Sequence, residues 1–390
     1  MQRIYQTYRK LYSNELLFLL DILKSEQESS TPETTRHQPV NEKKLIPLVT
    51  RHKLIGYVYK QLSPKLSSET KESLTAQYKQ HTRHTLTFIR HLILVSQKFD
   101  QNNIPYLAFK GPVLSQMLYG DPLVKHSVDL DFWVSLDNIE SCEAILNEAG
   151  FIRVKPGKLT PRQRMKNYSI SHHYTYVHQA ERVVIELHWN ITNPFSLLPL
   201  TFQDAYSSHT RVELHNHQIK TLSYVHYLLY LAVHGSIHRW SRLTWLKDFS
   251  ALLSLSTENQ QQQVFQIADE FQLTKPVKQA FWLSYVIFKT PVSDEILKHH
   301  PIKPTFFYTD PVKSITKSTN RLNKEKLPGL IYKWHIRNNS KYRFSIFFRL
   351  RTHFTDWEII KLPDQLFFIY YLLRPFFIAF RGVRSLLRRN

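Results

Sequence analysis

The run Ser127-Val-Asp-Leu-Asp-Phe-Trp-Val134 constrains this chain more than any other stretch. It reads as a short apolar strand, and strand side chains alternate between faces. Asp129 and Asp131 therefore point one way, while Leu130, Phe132 and Val134 point the other way into a core. Two carboxylates about 7 Å apart on one face repel each other and call for a countercharge. Bound Mg²⁺ (or Mn²⁺) answers that need, because such an ion takes oxygen ligands from one or two carboxylates and completes its shell with water and phosphate. A solitary D-x-D also fits a solvated strand edge, so the surrounding sequence has to decide.

Upstream, Ile104-Pro-Tyr-Leu-Ala-Phe-Lys-Gly111 reads as a strand that stops at a glycine. A helix-forming stretch follows over 112–119, with Pro112 at its first position, and Gly120-Asp121-Pro122 ends it. This order, strand, Lys110-Gly111 turn, helix, carboxylate strand, suits a helix N-terminus and a lysine that hold a polyphosphate beside a metal. An ordinary strand-to-helix turn is the plainer reading of Lys110-Gly111 taken alone.

A third carboxylate lies in Arg182-Val-Val-Ile-Glu-Leu-His-Trp189. Alternation puts Val184, Glu186 and His188 on one face and Val183, Ile185, Leu187 and Trp189 on the other. A glutamate inside so apolar a strand needs a cationic partner or a place beside the two aspartates at a metal centre. Three such carboxylates can hold two divalent ions for in-line displacement at phosphorus.

These segments together resemble a large, mostly uncharacterised bacterial nucleotidyltransferase family within the polymerase-β-like superfamily. The resemblance rests on Lys110-Gly111, Tyr119, Lys125, Asp129-Leu-Asp131, Glu186-Leu-His-Trp189 and His234-Gly-Ser-Ile-His238, which runs on into Trp240, Arg242, Leu243, Trp245 and Asp248. It spans roughly residues 40–255 and implies an α+β fold: a small mixed sheet with helices, flanked by N-terminal and C-terminal helical regions. It also implies transfer of a nucleoside monophosphate from an NTP to an acceptor, which the sequence leaves open among small molecule, glycan, protein and nucleic acid. Asp129, Asp131 and Glu186 are then the expected catalytic and metal residues. Lys110, Gly111, Lys125, Ser127, His188, His234, His238 and Arg242 are expected around the nucleotide. Two departures stand out. The superfamily's Gly-Ser turn is Gly111-Pro112 here, and the basic residue before the aspartates is Lys125, which lacks the bidentate phosphate geometry of arginine.

Composition agrees with a folded, reducing-compartment protein. Of 390 residues, 42% are hydrophobic and 13% aromatic, which excludes a disordered chain. The single cysteine, Cys142, excludes an internal disulfide framework and reads as a buried helix residue. No signal peptide is evident, since Leu16-Leu-Phe-Leu-Leu20 is short and runs into Asp21, and no apolar stretch reaches membrane-spanning length. A cytoplasmic location is the expectation.

Four regions are expected. Residues 1–101 are helical, with helices near 8–24, 43–62 and 70–101 and a Ser/Thr/Gln/Glu-rich loop at 25–42. In the last helix Leu74, Tyr78, His81, His84, Phe88, Leu92, Leu94 and Phe99 form the apolar stripe. Residues 102–222 form the catalytic core: after the aspartates come a helix over 136–149 ended by Gly150, a basic loop over 155–166 above the site, a 168–178 strand paired with 183–189, and a hairpin of 210–214 with 218–222. Residues 223–300 are helical and complete the site, and 301–390 form a basic, aromatic region.

His234 and His238 lie one helical turn apart and admit three readings: a zinc site, a wall of the nucleotide or acceptor pocket, or helix packing. His172 and His173 pose the same question more weakly. Trp240 and Trp245 read as packing residues, and Arg242 as a packing residue that can reach a phosphate. Net charge is +21, and residues 311–390 hold 17 Lys/Arg against 4 Asp/Glu. This asymmetry favours an anionic partner. In 362–390, Leu366-Phe-Phe-Ile-Tyr-Tyr-Leu-Leu373 and Phe376-Phe-Ile-Ala-Phe380 sit beside Arg374, Arg381, Arg384, Arg388 and Arg389, a composition suited either to the anionic inner face of a membrane or to docking on the protein body. Two other functions stay open: a non-catalytic, membrane-associated accessory protein on the same fold, and an RNA-tailing enzyme.

Overall fold

The computed structural model describes residues 2–25, 40–193, 195–301, 305–317, 326–347 and 352–387. Five helices open the chain: α1 (Gln2–Arg9), α2 (Asn14–Ser25), α3 (Glu42–Arg51), α4 (Ile55–Leu62) and α5 (Ser68–Gln101). The mixed region follows as β1 (Tyr106–Phe109), α6 (Gly111–Tyr119), β2 (Leu130–Val134), α7 (Ile139–Glu148), β3 (Phe151–Lys155), α8 (Pro161–Ile170), β4 (His173–His178), β5 (Val184–His188), α9 (Phe202–Ser207), β6 (Thr210–Leu214) and β7 (His217–Thr221). Four further helices are α10 (Tyr224–Ile237), α11 (Leu243–Leu255), α12 (Glu258–Glu270) and α13 (Thr274–Phe288). Shorter helices follow, and the last described one is Ile369–Leu387.

The fold is α+β, as the sequence implied. Strands β1 to β5 make one mixed sheet in the order β1-β2-β5-β4-β3, and β6-β7 form a separate hairpin. Among the described strands only β2 and β5 run parallel, and their register sets Leu130 against Ile185 and Asp131 against Glu186. One face of the sheet packs through Phe132, Val134, Ile185 and Leu187 onto Phe88, Leu92, Val95 and Phe99 of α5 and Cys142 and Leu146 of α7. The other face contributes Phe109 and Trp133 to the larger core built by the N-terminal helices and α10 to α13. The helical layers therefore close over the face that carries the carboxylates.

Several expectations shift locally, each for a visible reason. The helix foreseen near 8–24 is two helices, because the Ser13 hydroxyl accepts from the Leu16 amide at 3.3 Å and starts a new one. The 43–62 helix breaks at Lys53, which takes a left-handed φ of 56°, while neighbouring His52 accepts from the Leu243 amide at 3.1 Å. A tertiary contact thus overrides local helical propensity. On α5, His84 and Leu94 face solvent, whereas Thr85, Val95 and Ser96 are buried. The 155–166 segment is not one basic loop: α8 begins at Pro161, capped reciprocally by Thr160 and Gln163, and β4 starts only at His173. Most of the 25–42 loop lies outside the described residues. The foreseen turn between β4 and β5 is present over 179–183, one residue longer than expected, with His178 N donating to Val183 O at 2.8 Å.

Gly56 marks how closely the N-terminal helices approach the loop before β2. A Cβ there would lie 2.2 Å from the Val124 carbonyl oxygen. This contact fixes the 120–129 loop against α4, and the Ser115 hydroxyl fixes its inner side, donating to Asp121 O (2.7 Å) and accepting from Lys125 N (3.1 Å).

Candidate active site

The site grows from the end of β1. Lys110 adopts φ 64°, rare for a residue with a side chain, and Gly111 follows at φ 48° as α6 begins. This sharp turn sends the Lys110 ammonium to Asp131, where Nζ donates to Oδ1 at 2.7 Å. The ammonium also lies 5.0 Å from the Phe109 ring centroid and 5.7 Å from that of Tyr230 on α10. A side chain at position 111 would crowd the Ser127 hydroxyl, 3.2 Å from an added Cβ. Ser127 Oγ is buried and finds no hydrogen-bond partner among the described residues.

Asp131, Glu186 and His188 converge. His188 Nε2 donates to Asp131 Oδ1 at 3.0 Å and lies 3.3 Å from Glu186 Oε2. His173 Nε2 approaches Glu186 Oε1 at 3.5 Å from β4, and His172 Nε2 lies 3.2 Å from His173 Nδ1. The ligand atoms of Asp131, Glu186 and His188 lie within 4.8 Å of one another, as do those of His172, His173 and His188. Neither set includes His234 or His238, so the zinc reading of that pair finds no further ligands among the described residues.

Electrostatics follow from crowding and burial. Burial first, then Asp131 and Glu186, push the Asp129 carboxyl up to about 7, and Lys110 opposes them. Burial alone would raise Asp131 too, but Lys110 and the His188 hydrogen bond hold it below the ordinary carboxylate value. Glu186 likewise resists its burial and is held at about 2, chiefly by His188. His188 is the reciprocal case: burial disfavours its charge, yet bonds to Asp131 and Glu186 raise its pKa. The donor set suits a hard divalent cation. Asp131 and Glu186 offer oxygen ligands, burial and the neighbouring carboxylates push Asp129 towards protonation, and an orphaned hydroxyl lies beside the turn.

The remaining expected residues take distinct positions. Lys125 is ion-paired with buried Asp248 of α11, whose other oxygen accepts from Tyr57 (2.6 Å) and Tyr119 (3.1 Å). Its ammonium thus has a carboxylate partner and ties the loop to α11. Arg242 lies over Trp245, its guanidinium carbon 5.3 Å from the ring centroid. Trp245 also meets His234 and His238, at ring separations of 5.5 and 4.8 Å. His234 is half-buried at the surface yet deep among protein atoms that hold its imidazole well below its usual pKa, and His238 is exposed. Side chains that are both enclosed and open to solvent are those of a cleft wall.

Sequence reasoning missed Lys53. Burial, then the charges of Arg242 and Lys125, lower its ammonium to about 8, while Asp129 opposes them. Its only sequence signal is a polar His52-Lys53 interruption in an apolar helical pattern. Asp248 was visible as part of the His234–Asp248 run but without a partner, because its contact with Lys125 spans 123 residues.

A search of curated proteins finds no match. Among solved structures, one similar chain is the crystal structure of an antigenic nucleotidyltransferase-like protein from Paracoccidioides brasiliensis. It is 17% identical, with 54% of this chain and 96% of that one covered, and its TM-score of 0.34 is too low to carry an argument. The profile of the family described as uncharacterised nucleotidyltransferase matches residues 38–289, well over half of the sequence and spanning every carboxylate of the site. The chain belongs to that nucleotidyltransferase family.

Proposed function

We propose that this nucleotidyltransferase moves a nucleoside monophosphate from an NTP to a hydroxyl-bearing acceptor at the Asp129–Asp131–Glu186 cluster, with Mg²⁺ or Mn²⁺ as cofactor. The observation that carries this reading is the register of Asp131 with Glu186 on adjacent parallel strands, with Lys110 reaching the same carboxylate. Asp129, Asp131 and Glu186 would hold the divalent ions, which when bound neutralise charge on the phosphates and on the attacking oxygen. Glu186 would orient the acceptor hydroxyl and accept its proton. His188 fixes the orientation of both carboxylates through one nitrogen, as a neighbour of metal ligands commonly does.

Lys110, the Gly111 backbone and the unpartnered Ser127 hydroxyl supply donors for the triphosphate at the start of α6. Arg242, Lys53, His234 and His238 would contribute from the helical side, where Arg242 and His234 meet around Trp245 and Lys53 senses the charge of Asp129. Lys125 acts here by holding the 120–129 loop on Asp248. Positioning and charge neutralisation carry most of such a transfer, so no covalent nucleophile is required. The test is transfer of label from α-labelled NTPs, with Mg²⁺ or Mn²⁺, into a fractionated cell extract. Label appearing with wild type and not with Asp131→Asn supports the reading, and absence of both nucleotide binding and transfer under all metals sinks it.

A further inference from the structure

The helix Ile369–Leu387 is packed on one face and bare on the other. Its inner face sets Tyr370 and Phe377, with Phe367 just before it, against Trp357, Leu159 and Ile170. Arg374 and Arg381 reach inward to the buried Asp356, and the Tyr370 hydroxyl secures the preceding turn by donating to Ile360 O at 2.7 Å. Docking on the protein body is therefore satisfied. It still leaves Phe368 (55% exposed), Leu372 (67%), Phe376 (70%) and Phe380 (53%) in solvent, one helical turn apart, with Leu366 and Tyr371 exposed at the edges of the row. Singly exposed apolar residues are ordinary, but a row of large ones on an anchored helix marks an interaction surface.

We propose that this outer face docks on an anionic lipid surface, with the helix lying in the plane of the interface. Among the described residues no helix is long and apolar enough to cross a membrane, so burial is limited to the depth of side chains. The border of the patch is cationic: Arg162 of α8 lies over Phe367 at 5.6 Å and Lys166 over Tyr371 at 5.4 Å. The chain from 311 onward carries 17 basic and 4 acidic residues, a net +13. Pairing this face with a second copy would bring two such segments together, and like charges disfavour that contact. Leu372, Phe376 and Phe380 offer acyl chains a matching surface and offer nucleic acid no hydrogen bonds. Aromatic and aliphatic side chains bounded by Lys and Arg are the chemistry that anionic headgroups and the acyl boundary recognise together. The supporting helix α8 leads through Ser171 and His172 into His173, whose Nε2 lies 3.5 Å from Glu186, so one helix links the docked face to the carboxylate sheet.

The proposal stands apart from the catalytic reading, because among the described residues the tail side chains pack on α8 and the Asp356 helix and not on the site's side chains. The test is sedimentation of the full-length protein with phosphatidylcholine vesicles, with and without phosphatidylglycerol, alongside the double variant Leu372→Gln/Phe376→Gln. Both replaced side chains are exposed, so an unchanged circular dichroism spectrum and melting curve certify the fold. Wild type is expected to partition onto the anionic vesicles, less onto neutral ones, and to be released by salt. The double variant is expected to lose roughly tenfold or more in partitioning. No binding to anionic vesicles at low salt overturns the proposal, as does equal binding by the double variant or equal binding to neutral vesicles. A wild-type dimer that the variant converts to monomer, without vesicle binding, assigns the face to a second copy instead.

Discussion

Asp131 and Glu186 stand side by side in register on adjacent parallel strands, and His188 Nε2 reaches both, at 3.0 and 3.3 Å. The relationship exists because β2 and β5 are the sheet's one parallel pair, which brings the two carboxylates to the same end and face. Lys110, arriving from the turn after β1, is the cation on the other side of Asp131. The cluster thus holds Asp131 and Glu186 ionised, while burial and those two carboxylates push Asp129 towards protonation.

Asp129→Asn should stabilise the metal-free protein above neutral pH. Asp129 titrates near 7 when folded, against an ordinary value of 3.8. Between these values the folded chain keeps a proton that the unfolded chain releases, so stability falls as pH rises through that window. The variant lacks this slope and should exceed wild type by about 2 kcal/mol above pH 7, a figure discounted for partial solvent screening. Urea unfolding in EDTA from pH 4 to 8 checks it. Saturating Mg²⁺ should flatten the wild-type slope, because the ion favours the ionised carboxylate. Parallel wild-type and variant curves in EDTA would remove the argument.

Lys110→Ala should weaken nucleotide binding and also destabilise the folded protein. Asp131 is buried, and removal of the ammonium leaves it His188 as its remaining charged donor. The cost should be roughly 2 kcal/mol in metal-free buffer. Added Mg²⁺ should recover part of that stability while nucleotide affinity stays reduced. Nucleotide titration by fluorescence or calorimetry, beside urea unfolding, separates the two effects. Unaltered affinity would mean that Lys110 serves Asp131 alone.

Much of this was legible in the sequence, and the reasons are specific. Alternation in 182–189 put Glu186 and His188 on one face, and the regular register of β5 with β2 and β4 keeps that period. The Lys110-Gly111 turn was visible as a strand meeting a glycine. The start of α8 was legible too and went unread: Thr160-Pro-Arg-Gln163 is a capping box with proline at the first helical position. The break at Lys53 was not legible, because it depends on a His52 contact with Leu243, far along the chain. Pairing of Lys125 with Asp248 was hidden for the same reason. Local rules report neighbours in sequence, and these contacts are neighbours only in space.

His234→Ala and His238→Ala should impair substrate binding or turnover more than folding. Both imidazoles meet Trp245 and neither joins a ligand cluster among the described residues. The purified protein should hold no stoichiometric zinc at this pair. Elemental analysis and thermal melting of both variants check the claim. Zinc lost together with the fold in His234→Ala would contradict it.

Gly235→Ala should be costly although alanine is the better helix former. A Cβ at this position on α10 would lie 2.4 Å from the ring of Trp240. Trp240 cannot readily retreat, because its indole nitrogen donates to Gln279 at 2.8 Å, and Gln279 also accepts from Ser236 and Tyr332. Overpacking of this kind costs about 1–3 kcal/mol. Urea unfolding measures it, and a variant as stable as wild type would show that α10 and Trp240 can separate freely.

The central claim is that Asp129 and Asp131 hold the divalent ions for nucleotidyl transfer. Label transfer from NTP, measured with Mg²⁺ or Mn²⁺ for wild type, Asp129→Asn, Asp131→Asn and the double variant, tests it most directly. An amide is a poor ligand for a hard cation, so each single change should abolish transfer while circular dichroism shows an intact fold. Glu186→Gln should keep part of the metal-dependent nucleotide binding and lose turnover. Transfer by the Asp129→Asn/Asp131→Asn double variant at the wild-type rate would place the chemistry elsewhere in the protein.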